Sequence, residues 1–205
     1  MSPEIVTLGV TTFVTLFVIM DPPGTVPVFL ALTNGMDRRR RVLAARQAVL
    51  VAFGVILVFT MFGRYILEFL HVSVPAFQAS GGLLLLLVAL ELLTGKAEEP
   101  RPTASGVNVA LVPLGTPLLA GPGAIVASML AVENSDHSFA SWTVIIVAIV
   151  LVHACLYLAM RFSVVIHRVL GEGGVTVVTR LAGLLLAAIA VQLIADAVMA
   201  FVATM

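Results

Sequence analysis

Charged side chains are scarce in this chain. Asp, Glu, Lys and Arg together make up 11% of its 205 residues, whereas soluble domains carry about 25%. The formal net charge at pH 7 is zero, so nothing in the composition indicates a nucleic-acid partner. Hydrophobic residues make up 60% and the mean hydropathy is +1.14. These values predict an integral membrane protein whose main surroundings are the lipid bilayer.

Motifs that would indicate an enzyme or a metal site are also lacking. The single cysteine, Cys155, has no partner for an internal disulfide and lies in an apolar run. The sequence contains no H-E-x-x-H, no G-x-S-x-G, no His/Cys cluster with metal-ligand spacing and no nucleotide-binding loop. We therefore expect neither an enzyme nor a cofactor-binding protein, and ATP-driven transport would need a separate subunit.

Long apolar runs make up most of the sequence. A helix needs about 20 apolar residues to cross the hydrocarbon core. Runs of that length predict six spans, at 4–33, 47–70, 76–94, 107–132, 141–160 and 181–205. No basic residue precedes the first run, so we expect the N-terminal segment to be retained as a span rather than removed as a signal peptide.

The basic residues are unevenly distributed between the loops. Ten of the eleven lie between spans 1 and 2, between spans 3 and 4, or at and between the ends of spans 5 and 6. Lys and Arg are retained on the cytoplasmic side of a membrane. This bias predicts a multi-pass protein of the cell (inner) membrane with both termini outside, which is the periplasmic side in a cell with two membranes.

Two of the predicted spans are interrupted by proline and glycine, and the two interruptions lie 99 residues apart. The first is Asp21-Pro22-Pro23-Gly24-Thr25 and the second is Gly121-Pro122-Gly123-Ala124. Proline removes a backbone donor and glycine lowers helix propensity. Irregular backbone at membrane depth is tolerated only where protein buries it or where it lines a cavity. A matched pair of broken spans therefore points to a transporter-like binding site near the midplane.

The two halves of the chain also resemble each other in spans 3 and 6. The run Gly82–Leu85 matches Gly183–Leu186 at an offset of 101, which places Glu91 opposite Gln192. Three spans per half force the second copy into the opposite orientation. We predict an all-α membrane protein, a single domain over 1–205, built as two inverted three-helix repeats at about 1–95 and 107–205. Spans 1 and 4 are expected to be broken near the midplane.

Several residues are candidates for substrate contact. The half-helices expected to start near Thr25 and Ala124 would direct free N–H groups and positive dipole ends at the breaks, an arrangement that suits a carboxylate. Asp21 and unwound carbonyls would suit an ammonium group, a proton or Na⁺, although Asp21 also fits a plain helix cap. The candidate binding residues are Asp21, Pro22, Pro23, Gly24, Thr25, Thr116, Gly121, Pro122, Gly123 and Ala124.

Ionisable residues deeper in the other spans are candidates for a transport pathway. These are Glu91 and Asp196, with Gln192 one turn before Asp196. Arg64 and Glu68 lie one turn apart and are expected to form an i,i+4 ion pair. His153 lies in the middle of span 5, where a satisfied donor between helices is the favoured interpretation.

Three segments resemble the signatures of the MarC family of small integral membrane proteins. They are 21–30 (DPPGTVPVFL), 112–125 (VPLGTPLLAGPGAI) and 180–192 (RLAGLLLAAIAVQ). The resemblance extends over essentially the whole chain. The family includes small neutral amino-acid transporters, so the resemblance implies a substrate of the glycine, alanine and threonine class. The family's name refers to multiple antibiotic resistance, which does not by itself imply drug efflux.

The sequence is therefore compatible with four function classes. The leading one is a secondary transporter of small neutral amino acids that works by alternating access, with H⁺ or Na⁺ as a possible coupling ion. The second is an exporter or permease for another small polar or drug-like solute. A structural membrane subunit and an intramembrane enzyme are less favoured. The sequence leaves the direction of transport and the oligomeric state open.

Overall fold

A computed structural model describes residues 3–33, 35–94 and 119–203, and within those ranges every regular element is a helix. Seven helices are present among these residues. They are α1 (Pro3–Met20), α2 (Pro22–Leu32), α3 (Arg38–Phe69), α4 (Val74–Thr94), α5 (Pro122–Glu133), α6 (Phe139–Arg161) and α7 (Ser163–Ala203). The prediction of an all-helical membrane protein is confirmed at this level.

In the described part of the chain, five helical segments are long and apolar enough to cross a membrane. They are Pro3–Val26, Arg38–Phe69, Val74–Thr94, Phe139–Arg161 and Gly173–Ala203. The predicted fourth span, 107–132, has only its second part among the described residues, as the short apolar helix α5. Residues 107–118 lie outside the described residues, so the count of six spans stays a prediction.

Local sequence explains where several helices begin and bend. Asp37 precedes α3 and its carboxylate accepts the Arg40 N–H at 2.8 Å, and Ser138 caps α6 through the Ser141 N–H in the same way. Gly171 interrupts α7 with φ 64° and ψ 177°, a conformation that a glycine adopts without steric cost. The segment of α7 that is long and apolar enough to cross a membrane, Gly173–Ala203, lies after this kink.

The helices pack in two main groups. α1 lies against α6, and α4 lies along α7 in the most extensive contact of the bundle. The larger apolar core joins α1, α2, α3, α5 and α6, with Leu16, Phe29 and Ile149 among its fully buried side chains. A smaller core of Leu85, Ala89, Leu186 and Ala190 lies between α4 and α7. Many Leu, Val and Phe side chains remain exposed on the outside of the bundle, as a lipid-facing surface requires.

The contact between α4 and α7 depends on two glycines. A Cβ atom on Gly82 would lie 2.9 Å from the carbonyl oxygen of Ala190, and one on Gly183 would lie 3.2 Å from that of Ala89. Small residues let helix backbones approach closely in membranes. Each of the two helices thus supplies one glycine against which the other presses its backbone.

Candidate functional site

The first break is a single residue, Asp21, between α1 and α2. Its φ is +38°, so the chain leaves helical geometry there and re-enters it at Pro22. The sequence predicts an extended link here, with the second half-helix starting near Thr25. Instead Pro22, Pro23 and Gly24 form the first turn of α2, because proline is tolerated where the helix N–H groups have no intrahelical acceptor.

In this geometry, the backbone N–H groups that were expected to bind an anionic ligand are either absent or already hydrogen-bonded. Pro22 and Pro23 have no N–H. The Gly24 N–H donates to Asp21 Oδ1 at 3.1 Å, and the Thr25 N–H donates to the Asp21 carbonyl at 3.0 Å. Asp21 is therefore the N-cap of α2, and its own carboxylate occupies the place where an external anion would bind.

Asp21 and Thr25 are both buried next to the break. Asp21 is 7% exposed, and its Oδ2 atom has no hydrogen-bond donor among the described residues. The Thr25 hydroxyl donates to the Pro22 carbonyl at 2.7 Å, which is the local bond expected of a threonine in a transmembrane helix. Neither side chain lines the cavity described next.

The second break lies at the start of α5. Gly121 is extended, with φ −63° and ψ 157°, and it precedes Pro122 without offering a side-chain cap. The N–H groups of Ala124 and Ile125 both donate to the Gly121 carbonyl, at 3.0 and 3.2 Å. Since Pro122 has no N–H, Gly123 keeps the only uncommitted donor of this turn among the described residues. As at the first break, the helix starts earlier than expected, at proline: two residues earlier here and three residues earlier at the first break.

Residues next to the first break and residues of the second break line one small cavity, which we call the break cavity. It has a volume of about 190 Å³ and lies between the end of α1, the middle of α4 and the start of α5. Its lining residues are Ile19, Met20, Leu84, Leu85, Val88, Glu91, Leu119, Gly121, Gly123 and Ala124. The structure thus brings together Gly121, Gly123, Ala124 and Glu91 of the predicted site.

Gly123 leaves space at the wall of the break cavity. A Cβ atom at this position would overlap the side chain of Leu85. At the other break, a Cβ atom on Gly24 would overlap the carboxylate of Asp21. The two glycines therefore have different structural roles. Gly123 leaves space for the Leu85 side chain at the cavity wall, and Gly24 leaves space for the Asp21 carboxylate that caps α2.

The remaining predicted residues lie elsewhere. Thr116 is outside the described residues, and so is the side chain of Pro122. Gln192 and Asp196 line neither of the two cavities described. Gln192 is exposed on α7, where its amide donates to Asp196 Oδ1 at 2.7 Å.

The aliphatic wall of the break cavity was not predicted from the sequence. Leu84, Leu85 and Val88 come from a leucine-rich stretch in which every face is apolar, so no periodicity separates cavity-lining from lipid-facing positions. Met20 adjoins the first break, and Leu119 lies two residues before the second, so proximity to the two breaks was the one signal that could have found them.

A second and larger cavity lies at the other end of α5, and we call it the Trp142 cavity. It has a volume of about 450 Å³ between α3, α4, α5 and α6. Its lining residues are Phe59, Thr60, Met61, Arg64, Tyr65, Leu67, Glu68, Val74, Phe77, Met129, Leu130, Val132, Glu133, His137 and Trp142. Its wall is mostly aromatic and aliphatic, with a few charged side chains.

Those charged side chains form one cluster. Arg64 Nε lies 3.0 Å from Glu68 Oε1, so the predicted i,i+4 ion pair is confirmed. Arg64 Nη1 also lies 3.9 Å from Glu133 Oε2 at the end of α5. All three side chains are at least one-third exposed, so solvent screening keeps their contribution to stability small. The cluster nevertheless connects α3 to α5.

His153 lies away from both cavities. Its ring is buried between α3 and α6, with Nδ1 at 2.7 Å from the Ile149 carbonyl of its own helix and the ring edge-on to Phe53. No described residue bonds to its Nε2 atom. The expected hydrogen bond is present, but within the helix rather than between helices.

Comparison with known proteins gives a consistent family assignment. The model of the MarC family integral membrane proteins matches residues 6–202. A UPF0056 membrane protein of Methanocaldococcus jannaschii is 38% identical over 91% of this chain and 93% of its own length. The UPF0056 membrane protein YhcE of Escherichia coli is 32% identical over 89% and 87%, and YvbG of Bacillus subtilis is 30% identical over 89% and 90%.

No solved structure is significantly similar to the chain. The assignment therefore rests on the family match over 6–202, on relatives that align with nearly the whole length, and on the apolar helices described above. The chain belongs to the MarC family of integral membrane proteins.

Proposed function

We propose that this protein is a secondary transporter of small neutral amino acids, of the glycine, alanine and threonine class, which alternates access around the break cavity. The observation that carries the proposal is that residues from both broken elements bound one cavity: Met20 at the end of α1, and Gly121 and Gly123 at the start of α5. Broken helices that meet at mid-membrane are the usual substrate site of secondary transporters.

The size of the break cavity favours a small solute. Its volume of about 190 Å³ lies below the range of roughly 300–1,000 Å³ that is typical of sites for drug-sized ligands. A Leu85 side chain pressed against Gly123 limits the cavity further. A substrate with a very short side chain fits this space better than a large amphipathic one.

The chemistry of the lining favours a zwitterion. The start of α5 offers the Gly123 N–H and the positive end of a helix dipole, which suit a carboxylate. Glu91, on the opposite wall, offers a carboxylate that suits an ammonium group. The remaining lining side chains are aliphatic or thioether groups. In this account Asp21 shapes the site as the cap of α2 and does not contact the substrate carboxylate.

The packing of the helices supports two inverted repeats. At an offset of 101, Gly82 corresponds to Gly183, and Ala89 to Ala190, so the two glycine–carbonyl contacts between α4 and α7 are equivalent. α2 packs against α6 and α7, while α5 packs against α3 and α4, which are their counterparts. We infer repeats at about 1–95 and 107–205, related by a pseudo-two-fold axis in the membrane plane.

Charge distribution supports the orientation. Arg38, Arg39 and Arg40 are exposed at the start of α3, and Arg168 and Arg180 are exposed on α7. We place these groups on the cytoplasmic side of the cell membrane and both termini outside. The Trp142 cavity then opens toward the outside. A coupling ion, H⁺ or Na⁺, would find buried or cavity-lining carboxylates at Asp21 and Glu91.

Counterflow in proteoliposomes tests the proposal. Labelled glycine, alanine and threonine are exchanged with and without proton and Na⁺ gradients. We expect saturable exchange in the native protein and exchange at background level in Gly123→Leu, because the new side chain fills the cavity. Gly54→Leu is the matched control, since a Cβ there meets nothing within 4 Å. Exchange that is equally fast in folded Gly123→Leu protein would refute the site.

The Trp142 cavity favours a second candidate, a permease for a larger amphipathic solute. Its volume of about 450 Å³ lies in the drug-sized range, and its wall combines aromatic and aliphatic side chains. The same vesicles discriminate the two candidates. If folded native protein exchanges none of the three amino acids, the first candidate fails and amphipathic solutes become the next class to assay.

A further inference from the structure

Gln192, which is exposed on α7, and Asp196, which is half-buried one turn later, form a polar pair within a span, and their polar groups are only partly satisfied by their own helix. Exposed hydroxyls such as those of Thr7 and Thr143 donate to backbone carbonyls of their own helices, at 2.9 and 2.7 Å. The Gln192–Asp196 bond uses one amide hydrogen and one carboxylate oxygen. The amide oxygen, the second amide hydrogen and Asp196 Oδ2 make no hydrogen bond with the described residues.

Gln192 lies deep in the span, so its unsatisfied hydrogen-bonding groups carry an energetic cost in lipid. Arg180 is exposed on the same helix, 12 residues before Gln192, which corresponds to about 18 Å along an α-helix. With Arg180 at one boundary of a hydrocarbon core about 30 Å thick, Gln192 lies roughly 12 Å inside the other boundary. Polar groups at such depth usually face the interior of a bundle or one another.

The surroundings of Gln192 on α7 have a regular pattern. Exposed residues recur at alternating steps of four and three, which is the heptad spacing of two packed helices. They are Leu181, Leu185, Ala188, Gln192, Ala195 and Met199. We call this stripe the α7 seam. It lies on the opposite side of α7 from Gly183, Leu186 and Ala190, which face α4.

The composition of the α7 seam suits a close helix–helix contact. Ala188 and Ala195 flank Gln192 at one heptad spacing, and small residues allow two helix backbones to approach in lipid. One polar residue in an otherwise apolar seam fixes the register of a coiled-coil pair. The α7 seam therefore combines small residues, which allow a close approach, with one polar residue, which can fix the register against a second helix.

We propose that the α7 seam is a homodimer interface, in which Gln192 and Asp196 hydrogen-bond to the same residues of a second copy of this chain. A partner must present polar groups at the same depth. A second copy related by a two-fold axis along the membrane normal does so necessarily, because every residue lies at the depth of its equivalent. The seam is then self-complementary, as such an interface requires.

Cysteine cross-linking in native membranes tests the contact. In a Cys155→Ala background, Ala188→Cys and Ala195→Cys should each give a disulfide-linked dimer on mild oxidation. Leu151→Cys is the matched control, because it is 50% exposed on α6 and should remain monomeric. Cross-linking of the two seam variants at no more than the level of the control would overturn the proposal, whether lipid or another part of the chain covers the seam.

Energy transfer between labelled copies in liposomes then tests the role of the polar pair. Gln192→Leu should weaken dimerisation about tenfold, because two symmetry-related sets of interhelical hydrogen bonds are lost. Gln192→Asn, which keeps the amide, should lose much less. An unchanged midpoint in folded Gln192→Leu protein would overturn the polar contact. These readouts do not depend on transport, so their failure is distinct from failure of the transporter proposal.

Discussion

Asp21 and Gly24 form a tight cap at the first break: the Gly24 N–H donates to Asp21 Oδ1 at 3.1 Å, and a Cβ atom on Gly24 would overlap the same carboxylate. The Asp-Pro-Pro-Gly sequence thus both ends one helix and starts the next. The requirement for glycine comes from the cap itself, which leaves no space for a side chain.

Gly24→Ala should therefore lower stability although alanine is the better helix former. The methyl group displaces the Asp21 carboxylate, and losing an N-cap costs about 1 kcal/mol. Gly54→Ala, at a helix position where the Cβ meets nothing within 4 Å, should instead be neutral or stabilising. Thermal unfolding in detergent compares the two variants, and an equal shift in both would contradict the cap.

Substitutions of Asp21 should distinguish the contribution of its capping oxygen to stability from the contribution of its charge. Asp21→Asn keeps an acceptor for the Gly24 N–H and tolerates the positive φ of 38°, so its melting temperature should stay close to that of the native protein. Asp21→Ala loses the cap and is strained at positive φ, for a combined cost of roughly 2–3 kcal/mol. Equal melting temperatures for the two variants would count against this assignment.

Gly82→Ala should be the most damaging alanine substitution in the α4–α7 contact. The new methyl group would lie 2.9 Å from a backbone carbonyl, that of Ala190, which cannot move without shifting the helix. Overpacking of this kind costs roughly 1–3 kcal/mol. Gly183→Ala, with the Ala89 carbonyl at 3.2 Å, should cost less. Unfolding measured beside the Gly54→Ala control ranks the three, and a reversed order would show that the packing is different.

Asp136, in the loop between α5 and α6, should give a small acid-dependent contribution to stability. The Ser141 hydroxyl and the Ser138 N–H donate to its carboxylate, at 2.5 and 3.0 Å, and hold its pKa below the ordinary value. A lowered pKa in the folded state stabilises the protein above the unfolded pKa, about 3.9, and this effect is lost as the pH falls through the folded value.

The native protein should accordingly melt above Asp136→Asn at neutral pH, and the difference should shrink below about pH 4. Melting curves of both proteins across the acidic range measure this. If the difference in melting temperature between the two proteins grew on acidification, it would contradict the stabilising hydrogen bonds to the Asp136 carboxylate.

Several features of the fold could be predicted from the sequence because their signals are local. Among the described residues, apolar length predicted the five long apolar helices, and the proline at the first break predicted where the helix is interrupted. The Arg64–Glu68 ion pair followed from spacing along a single helix. The positions of Pro22 and Pro122 inside the first turn of their helices were missed, although proline at N1 is the more common arrangement.

Contacts between helices could not be predicted in the same way. Leu85 touches Gly123 across the break cavity, but it stands in a run of five leucines with no polar residue to mark its face. Gln192 was grouped with the pathway residues because it is polar and deep. That assignment stays a prediction, and the exposure of Gln192 beside Leu185, Ala188 and Ala195 followed only from the packing of α7 against α4.

The central claim is that a small amino acid binds in the break cavity, and protection of a cysteine there tests it most directly. Val88 lines the cavity and is 41% exposed, so Val88→Cys in a Cys155→Ala background should react with a small thiol reagent. Saturating threonine or alanine should slow this reaction several-fold and leave Leu151→Cys unaffected. A rate at Val88→Cys that does not change with either amino acid would contradict the account.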